Sequence, residues 1–586
     1  MRRISAILFL TLLLSLNYSC RHSPSSEVTQ GQITVNLKSA PDKLNPYMTT
    51  NAYASIVNRL LHPSLLEFHP KTLELQGYLA TSLPGQQLID TGRLNGNYAF
   101  NYEIRQEARW DDGTPVTGKD YAFAIKCLYF QDIDAPVWRS YLSFIEQVQV
   151  DAQNPKKFSV LTNTTYFKAR EMTGVYPLPA HLYDPNGLLD NYSIEEIKNP
   201  EFYAKNVKPN NVLMAWAEEM NSPLRTRRPE GLHGCGPYRL ADWTSDGRII
   251  LKKKDNWWGD ALYEKNDLFA AFPQEIVYEI TEDPNTIYNQ MSEELVDVVS
   301  NLDPALFDRT QNELKDEFQT FTPLSTQYYY FSFNMLKAPL DDVRVRKALS
   351  QLVDRDKIIA LLFGDQAQKI VGPILPTKPY YNKDLKPYAM NVDAAISLLE
   401  EAGWKDTNGN GIRDKKLYGE NVELSLDLLV ASESSVFQDA AAIWRESAEK
   451  AGVDLQPVAM EFSAMRQKLK NRDFDIFGLA AGLELGLDDL YQQWHTNNIE
   501  TGGNRAGFGN EESDALIEKI RSDISQKERN EAYLAIQEIL HKQQPFAFLC
   551  TPKSRIVVHR RYGNAFSSSK YPGFFEHHYR ITNELN

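Results

Sequence analysis

Gln327-Tyr-Tyr-Tyr-Phe-Ser-Phe-Asn334 is the most β-prone run in a chain of 586 residues, and the segment on its C-terminal side sets the architecture. Aromatic side chains favour the pleated, half-buried surface of a strand. Pro339 with Asp341-Asp342 ends the run and starts a helix that turns Ala348, Leu349, Leu352 and Val353 inward, with Gly364 as the stop for its continuation. From there strands and helices alternate. Asn391 caps a helix with Ala395, Leu398, Leu399 and Ala402 on one side and Gly403 at its end. Val422 to Val430 reads as a strand, Ser435 to Ala451 as a helix, Val453 to Met460 and Phe474 to Leu479 as strands. Helices over Ser513 to Asp523 and Glu528 to His541 and a strand over Phe546 to Thr551 complete an α/β unit. Open sheets of this kind place ligands at strand ends.

Working outward toward the N-terminus, strands are expected at Gln32 to Leu37, Tyr98 to Arg105, Phe158 to Thr162, Tyr238 to Leu240, Arg248 to Lys253 and Ile276 to Ile280. Thr117-x-x-Asp120 is a capping-box pattern opening a helix with Tyr121, Ile125 and Leu128 on one face, just after a turn at Trp110-Asp-Asp-Gly113. Pro177 to Asn211 reads as loop. No period of 20 to 50 residues repeats, which argues against solenoids and propellers.

The composition, 42% hydrophobic and 24% charged, is that of a water-soluble globular protein of several domain-sized units. A net charge of −14 without a basic cluster excludes nucleic acid as a partner. The 30 Tyr, 27 Phe and 9 Trp are more than a core of this size obviously needs, so a subset is free to line a ligand cleft.

The first residues read as an export address. Arg2-Arg3 precede an apolar run from Ile4 to Leu16, too short for the ~20 residues of a spanning helix. Small Ser19 stands before Cys20, which opens onto the polar Arg21-His22-Ser23-Pro24-Ser25-Ser26. Residues 1–19 are therefore expected to be a signal peptide, Cys20 the lipid-attachment point and 20–30 its tether. Asn17 and Tyr18 depart from the usual lipobox, and the plainer reading is signal cleavage with Cys20 a bystander. Removing 1–19 deletes two cations and no acid, taking the charge from −14 to −16. Cys127, Cys235 and Cys550 remain, widely spaced, allowing one disulfide at most.

No catalytic signature is found: G-x-S-x-G, H-E-x-x-H, G-x-x-x-x-G-K and C-x-x-C are all missing. No catalytic residue, cofactor or metal is expected. His577-His578 read as surface residues. Asp406-Thr-Asn-Gly-Asn-Gly-Ile-Arg-Asp414 matches the first half of a calcium loop, but Leu417 stands where the bidentate carboxylate belongs, so the segment reads as a turn.

Several blocks, in order, resemble the family 5 extracellular solute-binding proteins, the oligopeptide and dipeptide receptors of bacterial ABC importers. They are Leu44-Asn-Pro46, Tyr102-Glu-Ile-Arg105 through Asp120, Gly234-Cys-Gly-Pro-Tyr238 with Lys254-Asp-Asn-Trp-Trp258, and Pro339 to Asp356 with Asp342-Val-Arg-Val-Arg-Lys-Ala-Leu349 and Val353-Asp-Arg355. Leu398 to Gly403 and Ile443 to Gly452 add helix-level agreement.

The resemblance implies a bilobed, periplasmic-binding-protein-like α/β fold with an extra subdomain in the first lobe and two hinge crossings, near Thr326 and Thr551. On that plan residues 31–65, 231–325 and 551–586 form the first lobe, 66–230 its extra subdomain and 326–550 the second lobe. It implies a peptide held in the interlobe cleft by main-chain hydrogen bonds and delivered to a membrane permease. Carried over by position, Thr50, Asn51 and Ala52 are the first-lobe strand facing ligand, Trp138 a ligand-contacting aromatic, and Ala480, Ala481 and Gly482 the second-lobe strand. Glu484 stands where the family has an Asp that pairs with the peptide ammonium, with Asp488 as second choice; otherwise Glu484 is a solvated loop acid.

The expected function is thus a monomeric, lipid-anchored receptor on the periplasmic side of a bacterial membrane. The alternatives are another solute on the same fold (oligosaccharide, nickel chelate or haem), a surface scaffold, or an exported hydrolase using Asp488-Asp489.

Overall fold

A computed structural model describes residues 31–244, 247–417, 419–500 and 502–582. The signal segment, Cys20 and the tether to residue 30 lie outside these residues.

Three sheets organise the chain. A seven-stranded sheet runs in the order Phe318–Phe321, Ile556–His559, Val298–Ser300, Gln32–Leu37, Glu275–Ile280, Ile249–Lys253, Tyr238–Trp243. A four-stranded antiparallel sheet, Gly85–Leu88, Tyr98–Glu103, Lys157–Thr162, Ile145–Val150, belongs to the segment inserted between the first and second of these strands in sequence. The six-stranded sheet runs Ala367–Lys369, Phe546–Pro552, Gln327–Phe333, Ile476–Gly482, Ser425–Ala431, Asp454–Met460. The chain passes between the seven- and six-stranded sheets twice, after Phe321 and after Pro552. This is the two-lobed architecture with a subdomain in the first lobe.

Gln327–Phe333 is central because it can be buried on both faces. Phe331 and Phe333 pack into one core, with Phe331 stacked 4.8 Å from Trp444. Tyr328 and Tyr330 enter another, with Tyr330 stacked 4.2 Å from Phe546. Much of the aromatic surplus is spent here: Trp404, Trp444 and Trp494 are all fully buried, each burial contributing a few kcal/mol.

The motif residues around this strand are structural. Arg346 is buried and donates to the carbonyls of Leu340, Asp341 and Gln543, and Arg355 to those of Ser350, Phe548 and Tyr388. Two guanidinium groups thus tie the helices Val343–Gln351 and Arg355–Phe363 to the end of the second lobe. Gly234 and Gly236 are small because the backbone of helix Ala52–Leu61 lies on them: a Cβ would stand 2.0 Å from the Leu61 carbonyl oxygen at the first and 2.2 Å from that of Leu60 at the second. At Thr117 the capping box forms as expected and starts helix Gly118–Tyr129.

Several expectations are corrected. Residues 177–211 are not loop but a series of short helical turns, among them Ala180–Tyr183, Ile194–Lys198 and Pro200–Phe202, started by Ser193 and Asn199 caps that satisfy free N–H groups. His577 and His578 are buried, not surface; burial holds both imidazoles below their usual range, to about 3 for His578. Thr50–Ala52 is not a strand: Asn51 caps helix Ala52–Leu61, its side chain accepting from the Tyr53 and Ala54 N–H groups. In the Asp406 loop the side-chain oxygens are directed at the loop's own backbone, Asp406 accepting from Gly409 and Gly411, and Asn410 from Ile412. Cys127, Cys235 and Cys550 are buried free thiols.

Candidate functional site

The strand Ile476–Gly482 has two unequal edges. Along one it pairs at every residue with Gln327–Phe333, from Ile476 opposite Phe333 to Gly482 opposite Gln327. Along the other it pairs in parallel with Ser425–Ala431 only at Ile476 and Phe477. Beyond Phe477 that edge carries no strand partner among the described residues, and Ala480 and Gly482 are exposed. A strand edge left open in this way presents N–H and C=O groups to an extended chain. Ala480 to Gly482 is thus a strand, as the resemblance implies, and it ends beside the hinge, where the Leu483 N–H donates to Thr326.

Immediately past Gly482 the chain meets the extra subdomain. Lys168 Nζ lies 3.2 Å from Glu484 Oε2, and the Tyr166 hydroxyl donates to Asp489 at 2.8 Å. Arg521, 3.4 Å from Asp489, lies over the rings of Tyr166 and Tyr491. Tyr98 donates to Asp523. The first lobe's subdomain and the second lobe are therefore joined by polar contacts between their own residues.

At this junction lies a half-open cavity of about 700 Å³, within the range of small-ligand sites. Leu75, Leu83 and Phe167 of the subdomain and Leu485, Leu487 and Ile524 of the second lobe give it apolar walls, while Lys168, Arg170, Glu171, Lys378 and Arg529 bring charge. Asp488 is buried beneath it, 2.6 Å from Lys378 Nζ and accepting from the Tyr380 hydroxyl at 2.9 Å. Burial pushes the Asp488 carboxyl up and the Lys378 ammonium down, and the ion pair opposes both shifts. Burial likewise raises Glu171, against the pull of Lys168.

The site residues expected from sequence therefore separate. Ala480, Ala481, Gly482, Glu484 and Asp488 fall on one continuous stretch at the interlobe junction. Trp138 does not line this cavity; it stands edge-on to Tyr47 at 5.6 Å and to Tyr176 at 6.3 Å. Thr50 to Ala52 do not line it either. Glu484 is not solely a solvated acid, since Lys168 is its partner, and Asp488 is committed to Lys378. Sequence reasoning misses Lys168, Glu171 and Lys378, because nothing local marks them.

Two lobes around a cleft, linked by two strand-to-strand passages, define the class of bilobed solute receptors. A model of bacterial extracellular solute-binding proteins, family 5, matches residues 93–500. The chain belongs to that family, whose members bind solutes rather than catalyse reactions. It is 23% identical over 575 residues to the oligopeptide-binding protein AppA of Bacillus subtilis, covering 95% of each chain. The structure of that AppA in complex with a nonapeptide superposes with a TM-score of 0.63 at 21% identity, covering 94% of this chain and 99% of the other. NikA from Brucella suis in complex with Fe(III)-EDTA superposes with a TM-score of 0.71 at 17% identity and the same coverage.

Proposed function

We propose that this protein is the extracytoplasmic receptor of an ABC importer and captures a peptide-like solute between its lobes. The observation that carries the reading is the open backbone edge of Ala480–Gly482, from which the chain runs on past Glu484 to Leu485–Leu487 in the wall of the interlobe cavity. A peptide laid along that edge is held through its repeated main chain, so side chains contribute little to selection and many sequences are accepted. The similarity to an oligopeptide-binding protein over 95% of both chains supports the same solute class. Cys20 carries the lipid that holds the mature, monomeric protein at the periplasmic face of a membrane, near the permease it serves.

Isothermal calorimetry of the mature chain against di- to hexapeptide pools, with mass spectrometry of material co-purified from the native cell, tests the reading. Saturable heat with a peptide pool is the expected result. Heat only with a metal chelate or haem moves the solute to another class on the same fold.

A further inference from the structure

The carboxylates nearest the strand already have partners within the protein. Glu484 is matched by Lys168 and Asp488 by Lys378. Glu171 differs. It lines the cavity, is largely withdrawn from water, and makes no direct ion pair among the described residues, Lys168 and Lys378 acting on it only from a distance. Gly486 of the opposite lobe is what admits it, for a Cβ there would stand 2.3 Å from Glu171 Oε2. The preceding residue shows the complementary imbalance. Arg170 lines the same cavity, makes no ion pair among the described residues, and its Nε is buried without a hydrogen-bond partner. Helix Ala169–Met172 therefore brings one anion and one cation, neither in a direct ion pair, to a single cavity.

Charges withdrawn from water without a direct partner are costly unless a ligand answers them. A molecule with one positive and one negative end answers both, and a short peptide with free termini is such a molecule. Neighbouring residues on one helical turn point in different directions, so the two charges address different parts of the space rather than each other. Lys168 and Lys378 also face the cavity, but Glu484 and Asp488 neutralise them.

Building on the peptide reading, we infer that the cavity is a zwitterion site: Glu171 receives the ligand's ammonium, not Glu484 or Asp488, and Arg170 receives its carboxylate. The ligand class is a short peptide with both termini free. Charge-assisted hydrogen bonds of this kind are the strong ones, and losing either is expected to weaken binding at least tenfold.

Calorimetry with three tripeptide pools, unmodified, N-acetylated and C-amidated, tests this on the parent and on Glu171→Gln, Arg170→Gln and Glu484→Gln. The parent is expected to favour the unmodified pool over each blocked pool by tenfold or more. Glu171→Gln loses the preference for a free amino end, Arg170→Gln loses that for a free carboxyl end, and Glu484→Gln keeps both. Parent binding that ignores end-blocking overturns the inference without any variant, as does a Glu484→Gln protein that alone loses the amino-end preference. In either case the peptide reading stands. Absence of heat from the parent with every pool removes the peptide reading and this inference with it.

Discussion

His62 gives the protein a calculable sensitivity to acid. It follows helix Ala52–Leu61, is buried beside Gly234, and its imidazole is held down to about 3, first by burial and then by the nearby Lys254 ammonium. In the unfolded chain a histidine takes its proton near pH 6.5. Between about pH 6.5 and 3 the unfolded state thus holds more protons at this position, so stability is fully present above 6.5 and lost as pH falls. Each pH unit inside that window removes about 1.4 kcal/mol, so a fall to pH 5 removes about 2 kcal/mol. The perturbation is His62→Gln, which cannot titrate. Urea unfolding of parent and variant from pH 7.5 to 5, followed by tryptophan fluorescence, isolates this histidine because the other buried imidazoles are common to both. The variant is expected to be the less stable at pH 7.5, with the gap narrowing by about 2 kcal/mol at pH 5. Stability curves that stay parallel across the range would refute the reasoning.

Other perturbations act through the packing. Gly234→Ala drives a methyl into the Leu61 carbonyl and should cost about 3 kcal/mol by urea midpoint, whereas Gly482→Ala, with nothing within 4 Å of the new Cβ, should stay within about 0.5 kcal/mol of the parent. Arg355→Met leaves two buried carbonyls and one half-buried carbonyl without their donor and should lower stability by about 3 kcal/mol, read in the same assay. Asp488→Asn strands the Lys378 ammonium and should cost about 3 kcal/mol, while Asp488→Asn combined with Lys378→Met should recover at least half of that; a double variant worse than the single would show that the pair is not the cause.

The sequence makes legible what local chemistry encodes. The Tyr328–Phe333 run, the Thr117 capping box and the glycines of Gly234-Cys-Gly-Pro each act within a few residues or against one neighbouring element, and the fold follows from them. The Arg346 and Arg355 motif is legible as a resemblance, but its physical reason, paired guanidinium groups on carbonyls near 543–548, emerges only with the strand in place. The turns between 177 and 211 escape a sequence reading because polar caps and prolines mark helix starts and loops alike. His577 and His578 mislead because a hydrophilic pair is hidden only by tertiary packing. At the cleft, position along the chain finds Ala480–Gly482 and Glu484. It does not find Lys168, whose partner Glu484 is more than 300 residues distant, nor Arg170 and Glu171, which meet the opposite wall of the cavity only when the lobes come together.

The contacts that join the subdomain to the second lobe, Lys168 with Glu484 and Tyr166 with Asp489, are made by protein atoms on both sides. They favour the shut arrangement whatever the cleft contains. Entry requires the lobes to part, so loading is slowed in proportion to the fraction of empty molecules that stand shut. The same links hold the loaded receptor, so once the empty receptor is mostly shut they cancel from the dissociation constant and slow entry and release together. These polar links thus set the pace of loading and unloading from outside the ligand's own contacts, and that pace can be tuned without altering what the site recognises.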